Sequence, residues 1–194
     1  KSVGIKKGDA VFIFPETYKF GILENIEFHH KVYESFYKII SEIIGPKGTI
    51  CIQSHTFDTL RFNNKFYYDK PESTSGGFPN YILSLKKTIR SNHPAFSVAS
   101  IGYKSKFISQ NNSFHNYGYN SPLEKFLRLN GKFLSLGSDY VKNPFNHIAE
   151  YMVGVPFYFN KYKNLIIYSA INKFLRANKI LAPKLYACNY PKGI

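Results

Sequence analysis

The sequence predicts an α/β protein in which a parallel or mixed sheet carries helices on its faces. Three observations lead to this reading. The continuous apolar run Ala10-Val11-Phe12-Ile13-Phe14 has the character of a strand buried on both sides. Glu27 to Ile44 then places Phe28, Val32, Phe36, Ile39, Ile40 and Ile43 at helical spacing, and Gly45-Pro46-Lys47-Gly48 ends that helix. Thr49 to Gln53 follows as a second short apolar strand, so strand, helix, turn and strand succeed one another as a βαβ unit.

The other elements follow in order. Lys6-Lys7-Gly8-Asp9 is a polar turn feeding the first strand. Residues 58 to 75, polar and aromatic without a clean period, are expected to form a long ordered loop. Tyr81 to Ile89 resembles a helix and Ser97 to Gly102 a strand. Pro122 to Leu129 is a helix begun at Ser121 with proline at its first position. Lys132 to Leu136 is a strand, and the turn Gly137-Ser138-Asp139 leads to a segment that is helical over 145 to 152. No repeat or low-complexity linker divides the chain, so residues 1 to 194 are read as one domain.

Charge is uneven. The chain carries 26 basic and 12 acidic residues, a net charge of +14. Its last carboxylate is Glu150, and seven basic residues lie between Asn160 and Ile194. Such a field attracts polyanions and repels polycations. Within this basic segment, 158–194, Lys163 to Ala182 sets Ile167, Ala170, Ile171, Phe174 and Leu175 on one side of a helix with Lys173, Arg176 and Lys179 around it. A surface helix touching a membrane or nucleic acid has that pattern; so does one packed on its own domain.

No apolar run is long enough to span a bilayer. Lys1 to Lys7 lacks the apolar stretch of a secretion signal, so a cytoplasmic location is expected; a first residue of lysine leaves room for a natural N-terminal segment. Cys51, set in an apolar strand, reads as a core thiol, and Cys188 shows no pairing pattern with it, which suits a reducing compartment.

The chemistry concentrates in Asn143-Pro144-Phe145-Asn146-His147-Ile148-Ala149-Glu150. On a helix, His147 and Glu150 share a face, close enough for the carboxylate to orient the imidazole. Histidine changes charge nearest neutral pH, so the pair is a candidate for proton transfer. A histidine at a turn-to-helix junction also often just bonds backbone. The phosphate loop, dinucleotide fingerprint, serine-hydrolase elbow and H-E-x-x-H motif are all missing. His55, His93 and His115 have no metal-ligand spacing, and no metal is expected.

Arg90-Ser91-Asn92-His93-Pro94-Ala95-Phe96-Ser97, read with Ser121-Pro122, Leu136-Gly137, Asn143 to Glu150 and Gly154-Val155-Pro156, resembles the aminoglycoside 3-N-acetyltransferase family over about residues 4 to 157. Gly8-Asp9 before the first strand and Gly48-Thr49 before the second add to the match. The resemblance implies a three-layer α/β/α fold with a mixed, largely parallel central sheet, and direct acetyl transfer from acetyl-coenzyme A to an amine without a covalent enzyme intermediate. It implies that His147 is the general base and Glu150 its carboxylate partner, with Asp139 a second group to orient His147 or hold the acceptor. It implies a coenzyme A site drawn from Thr17, Lys19, Thr56, Phe57, Arg90, Ser91 and Ser97. Glu16, Asn143 and Tyr117 are expected to face the acceptor. Two departures stand out: Phe14-Pro15-Glu16-Thr17 replaces the family's usual His-Ser-Ser-Leu, and Pro144 replaces a usual threonine, removing a hydroxyl and an amide donor beside His147.

Charge bears on which amine. Aminoglycosides are polycations, whereas a nucleotide-linked amino sugar brings phosphates that a basic surface steers inward. The expectation is therefore N-acetylation of a nucleotide-activated amino sugar for surface polysaccharide synthesis. Its alternatives are an aminoglycoside acetyltransferase and a non-enzymatic protein of basic surface. No nucleic-acid partner is expected, peripheral membrane contact through the basic segment is allowed, and the oligomeric state is left open.

Overall fold

A computed structural model describes residues 3–21, 29–56, 65–67, 72–93, 96–113, 115–137, 144–168 and 175–185. Strand β1 (Ala10–Pro15) lies inside a five-stranded sheet. Alternation sends Val11 and Ile13 to one face and Ala10, Phe12 and Phe14 to the other, and none of the five is more than 7% exposed. The run is continuously apolar because both faces are covered.

On the Val11 face, α1 (His29–Ile44) packs Ile40 and Ile44, and α2 (Gly77–Ser84) packs Phe78 and Ile82. On the Phe12 face, α3 (Ser105–Ser109), α4 (Pro122–Arg128) and α5 (Asn146–Val153) bring Ile108, Phe126 and Ile148. Two cores on opposite faces of one sheet make the three-layer α/β/α arrangement.

The sheet runs β4 (Ile89–Arg90), β5 (Val98–Gly102), β2 (Thr49–Gln53), β1, β6 (Lys132–Leu136). β1 pairs in parallel with β2 and β6, while β5 is antiparallel to both β2 and β4. Four strands thus point one way and β5 alone points back, a mixed, largely parallel sheet. A second sheet orders β3 (Lys65–Tyr67), β7 (Tyr158–Tyr168) and β8 (Leu175–Leu185).

Several boundaries differ from the sequence reading. In α1 the buried stripe is Ile40 and Ile44 with Tyr33, Phe36 and Tyr37 partly buried, while Ile39 and Ile43 are 53% and 46% exposed. Residues 27 and 28 lie outside the described residues. The helix expected over 81–89 starts earlier, at Gly77, and stops at Ser84, so that Ile89 can pair with Ser100 of β5. Part of the expected loop, 65–67, pairs with β7. The amphipathic helix considered for 163–182 is replaced by β7 and β8, antiparallel with a register shift between Lys163 and Leu165. No helix among the described residues is long and apolar enough to cross a membrane.

Helix α4 shows its local code. The Ser121 side chain accepts the Glu124 amide at 3.2 Å, Glu124 reaches back to the Asn120 amide at 2.9 Å, and Pro122 fills a position whose amide has no helical partner. Phe12 is the hub of the face that α4 and α5 cover, its ring 5.2 Å from Phe14, 5.4 Å from Phe126 and 5.1 Å from Phe145. Phe12→Ala should lower stability by about 3–5 kcal/mol, the cost of an unfilled aromatic cavity. Urea denaturation measures this, and a loss below about 1 kcal/mol would show that the cluster does not depend on it.

Candidate active site

The parallel strands end together, and β1, between β2 and β6, is where the chain leaves to opposite faces. That is the place where open α/β sheets form a ligand crevice. Here the edge is built from Glu16 after β1, Ser54 and His55 after β2, Ser91 after β4 and Gly137 after β6. Because β5 runs backwards, its approach, Ser97, joins the same edge. Gly137, at φ +78°, lies so close to Glu16 that a Cβ would meet the Glu16 carbonyl at 2.6 Å. The Glu16 amide bonds the Leu136 carbonyl at 2.7 Å, closing this end of the β1–β6 pair.

Helix α5 presents the pair singled out in the sequence. Phe145 and Ile148 anchor it in the Phe12 core. His147 and Glu150, three residues apart, put Nδ1 and Oε2 2.7 Å from each other, with side chains 31% and 34% exposed. Pro144 supplies no amide or hydroxyl, yet its carbonyl accepts the His147 amide at 3.1 Å, and α5 begins without a side-chain cap. Tyr117 packs its ring against His147, centroids 5.3 Å apart.

The Arg90 to Ser97 segment is bound into the edge. Arg90 donates from Nε to Ser97 Oγ at 2.9 Å and from Nη2 to the Ser54 carbonyl at 2.6 Å, and Ser97 Oγ also reaches that carbonyl at 2.6 Å. The Val98 amide bonds Ser91 Oγ at 2.9 Å. These three side chains are buried; Arg90 and Ser97 fasten the start of β5 to the end of β2, and Ser91 fastens it to the end of β4. Thr17 opens a 3-10 turn over Thr17–Phe20, and Lys19 on that turn pairs with Glu16 at 2.7 Å. Thr56 is half-buried next to His55. Phe57, Asp139 and Asn143 lie outside the described residues. Among the described residues no group of three or more His, Cys, Asp or Glu side chains is placed to hold a metal.

Ser54 and Phe96 fall in segments the sequence assigns to the coenzyme A site, without roles of their own, and His115 is weighed there only as a metal ligand. His93 Nδ1 accepts the Phe96 amide at 3.0 Å, and His115 Nδ1 accepts the amides of Tyr117 and Gly118 at 3.1 and 2.8 Å. In both cases an imidazole closes a turn three residues ahead, as an Asx side chain does two residues ahead. That shared spacing is the signal in the sequence. Phe96 links the two segments, its ring 5.6 Å from His93, 5.3 Å from His55 and 6.3 Å from Tyr117.

Residues 23–180 match the family model described as aminoglycoside 3-N-acetyltransferase. Aminoglycoside N(3)-acetyltransferase III from Salmonella is 22% identical over 174 residues, 80% of this chain and 59% of its own. The SPbeta prophage-derived aminoglycoside N(3')-acetyltransferase-like protein YokD of Bacillus subtilis strain 168 is 23% identical over 175 residues, 79% of this chain and 62% of its own. The solved structure of AAC-IIIb in its binary complex with coenzyme A superposes with a TM-score of 0.75 at 19% identity, covering 95% of this chain and 72% of that one. The chain therefore spans about 59% of the length of the first of these curated relatives.

The chain belongs to the aminoglycoside 3-N-acetyltransferase family. Membership corrects the expectation of a nucleotide-linked amino sugar and of polysaccharide synthesis: the family description and the relatives' names carry aminoglycosides instead. A charge summed over the whole chain does not decide the acceptor. Recognition of an amine is local, and seven of the basic residues counted lie beyond Asn160, whereas Glu150 stands beside His147.

His55 yields a pH prediction. Burial, then the positive charge of Arg90, pushes its imidazole down to about 4, against about 6.5 in an unfolded chain. Between those values the unfolded state binds a proton that the folded state does not. Stability therefore falls as pH drops from about 6.5 to about 4, by roughly 3 kcal/mol in full. His55→Gln should flatten this part of the profile in urea titrations at a series of pH values. Equal slopes in the two proteins would refute the assignment.

Proposed function

We propose that the protein transfers the acetyl group of acetyl-coenzyme A to an amine of an aminoglycoside, with His147 as general base. The observation that carries this is the 2.7 Å contact between His147 Nδ1 and Glu150 Oε2 on a helix anchored in the Phe12 core. The family and the names of its members supply the reaction class.

The residues suit the chemistry. An amine attacks only as the free base, so a group must take its proton as the new bond forms. With Glu150 accepting from Nδ1–H, the imidazole lone pair is on Nε2, the atom that takes that proton. Glu150 then faces the imidazolium as it forms and offsets its charge. Acetyl-coenzyme A, when bound, supplies an activated thioester carbon, which removes the need for a serine or cysteine nucleophile. Thr17 and Lys19 after β1, Thr56 and Phe57 after β2, and the turn at Asn92 and His93 would hold it. Asn92 Oδ1 fits such a ligand: it is buried with no hydrogen-bond partner among the described residues, an acceptor suited to a pantetheine amide N–H. Glu16, Asp139 and Asn143 extend the proposal to the acceptor's ammonium groups, whose charge suits carboxylates. A cytoplasmic location, where acetyl-coenzyme A is at hand, belongs to the same proposal.

Thiol release from acetyl-coenzyme A with a kanamycin-type aminoglycoside tests the reading in the full-length protein. His147→Ala should lower kcat by about 10³-fold while coenzyme A affinity, measured by calorimetry, stays within about twofold. Retained activity would remove His147 from the base role. Glu150→Gln keeps a hydrogen-bond acceptor but loses the charge, and kcat should fall on the order of tenfold to a hundredfold. A wild-type rate in that variant would show that the carboxylate charge is dispensable.

A further inference from the structure

Tyr117, expected to face the acceptor, is tightly placed beside the base. Its ring is held between His147, at 5.3 Å, and Phe96, at 6.3 Å. Its backbone is fixed by His115 Nδ1, which accepts the amides of both Tyr117 and Gly118. A Cβ on Gly118 would come within 2.9 Å of the His115 ring, so only glycine permits this closure. The His115 ring packs on Tyr151 with centroids 4.2 Å apart, one helical turn along α5 from His147. The 115–118 turn therefore grips α5 at two successive turns and presents Tyr117 to the imidazole in a fixed pose.

The hydroxyl is the unusual part. Tyr117 is only 8% exposed, and its oxygen makes no hydrogen bond among the described residues. A buried tyrosine hydroxyl ordinarily finds a partner. Burial, and next the charge of Glu150, push the phenol well above its ordinary range, so it stays an O–H donor at neutral pH. Its neighbours His147 and Glu150 act as proton acceptors. The donor that acyl transfer needs is thus next to the base.

We infer that Tyr117 is a catalytic residue whose hydroxyl donates a hydrogen bond to the thioester carbonyl oxygen as that oxygen gains negative charge. The inference rests on the acetyl-transfer reading above. In that step the amine nitrogen bonds to the carbonyl carbon, and the π pair moves onto oxygen and is held by the Tyr117 O–H, which keeps its proton. The amine proton passes to His147 Nε2. The pair then returns, the carbon–sulfur bond breaks, and the imidazolium protonates the departing sulfur.

Tyr117→Phe removes one atom and keeps the ring. In the full-length protein kcat should fall about 10²-fold, the usual effect of losing one oxyanion donor, with KM and coenzyme A affinity within about twofold of wild type. A second readout needs no turnover: the infrared carbonyl stretch of bound S-acetonyl-coenzyme A should shift to lower frequency in wild type and return toward its free value in Tyr117→Phe. Unchanged kcat together with an unchanged carbonyl stretch overturns the role, as does a loss of coenzyme A affinity that accounts for the whole effect. The two readings fail separately. A wild-type protein inactive with every aminoglycoside sinks the proposed acceptor, while the carbonyl stretch still decides the role of Tyr117.

Discussion

Burial of both faces of β1 is the constraint on which the rest of the structure hangs. Period-two alternation places Phe12 and Phe14 on one side and Val11 and Ile13 on the other, and each side needs its own helical cover. A slip of one residue would exchange two aromatic rings for two aliphatic side chains in close-packed surroundings, so the register is strongly specified. The same packing sets the chemistry. Phe12 contacts Phe145, Phe145 precedes α5, and α5 carries His147. The position of the imidazole is thus inherited from the strand core through Phe145, whose ring also meets Phe126 and Phe133, and through Ile148.

Around the strand ends, imidazoles serve two purposes. His93 and His115 use Nδ1 to accept backbone amides and so shape turns, which requires the neutral ring. His147 faces a carboxylate from a half-exposed helix surface. The contrast is one of exposure and partner: a sealed imidazole bonded to backbone is structural, and a partly exposed one with a carboxylate beside it can move a proton. Arg90 belongs with the structural group, since its guanidinium is spent on Ser54 and Ser97, holding the reversed strand β5 against β2.

Much of this was legible in the sequence, for physical reasons. β1, β2, β5 and β6 are short apolar runs between turns, α4 announces itself by Ser121 and Pro122, and the three-residue spacing of His147 and Glu150 fixes their contact once α5 is helical. The β7 and β8 segments misled because their apolar residues fall at intervals that suit a helix, while strand pairing depends on a partner distant in the chain. α3 is too short for periodicity to reveal. Tyr117 could be named, but its grip on His147 depends on the His115 turn and on the docking of α5, contacts that no local pattern encodes. The acceptor was misjudged because a net charge has no address within the fold.

Cys51 gives the fold an internal reporter. It is a free thiol with no exposed surface, on the Phe12 face of β2, and burial pushes its ionisation upward. Only a thiolate reacts readily with a disulfide reagent. In a Cys188→Ser protein such a reagent therefore registers coenzyme A and is blind to Cys51; once the sheet opens, this thiol reacts too. One colorimetric signal then reads turnover while the sheet is closed and its opening rate under denaturing conditions, with the strand core acting as its own clock.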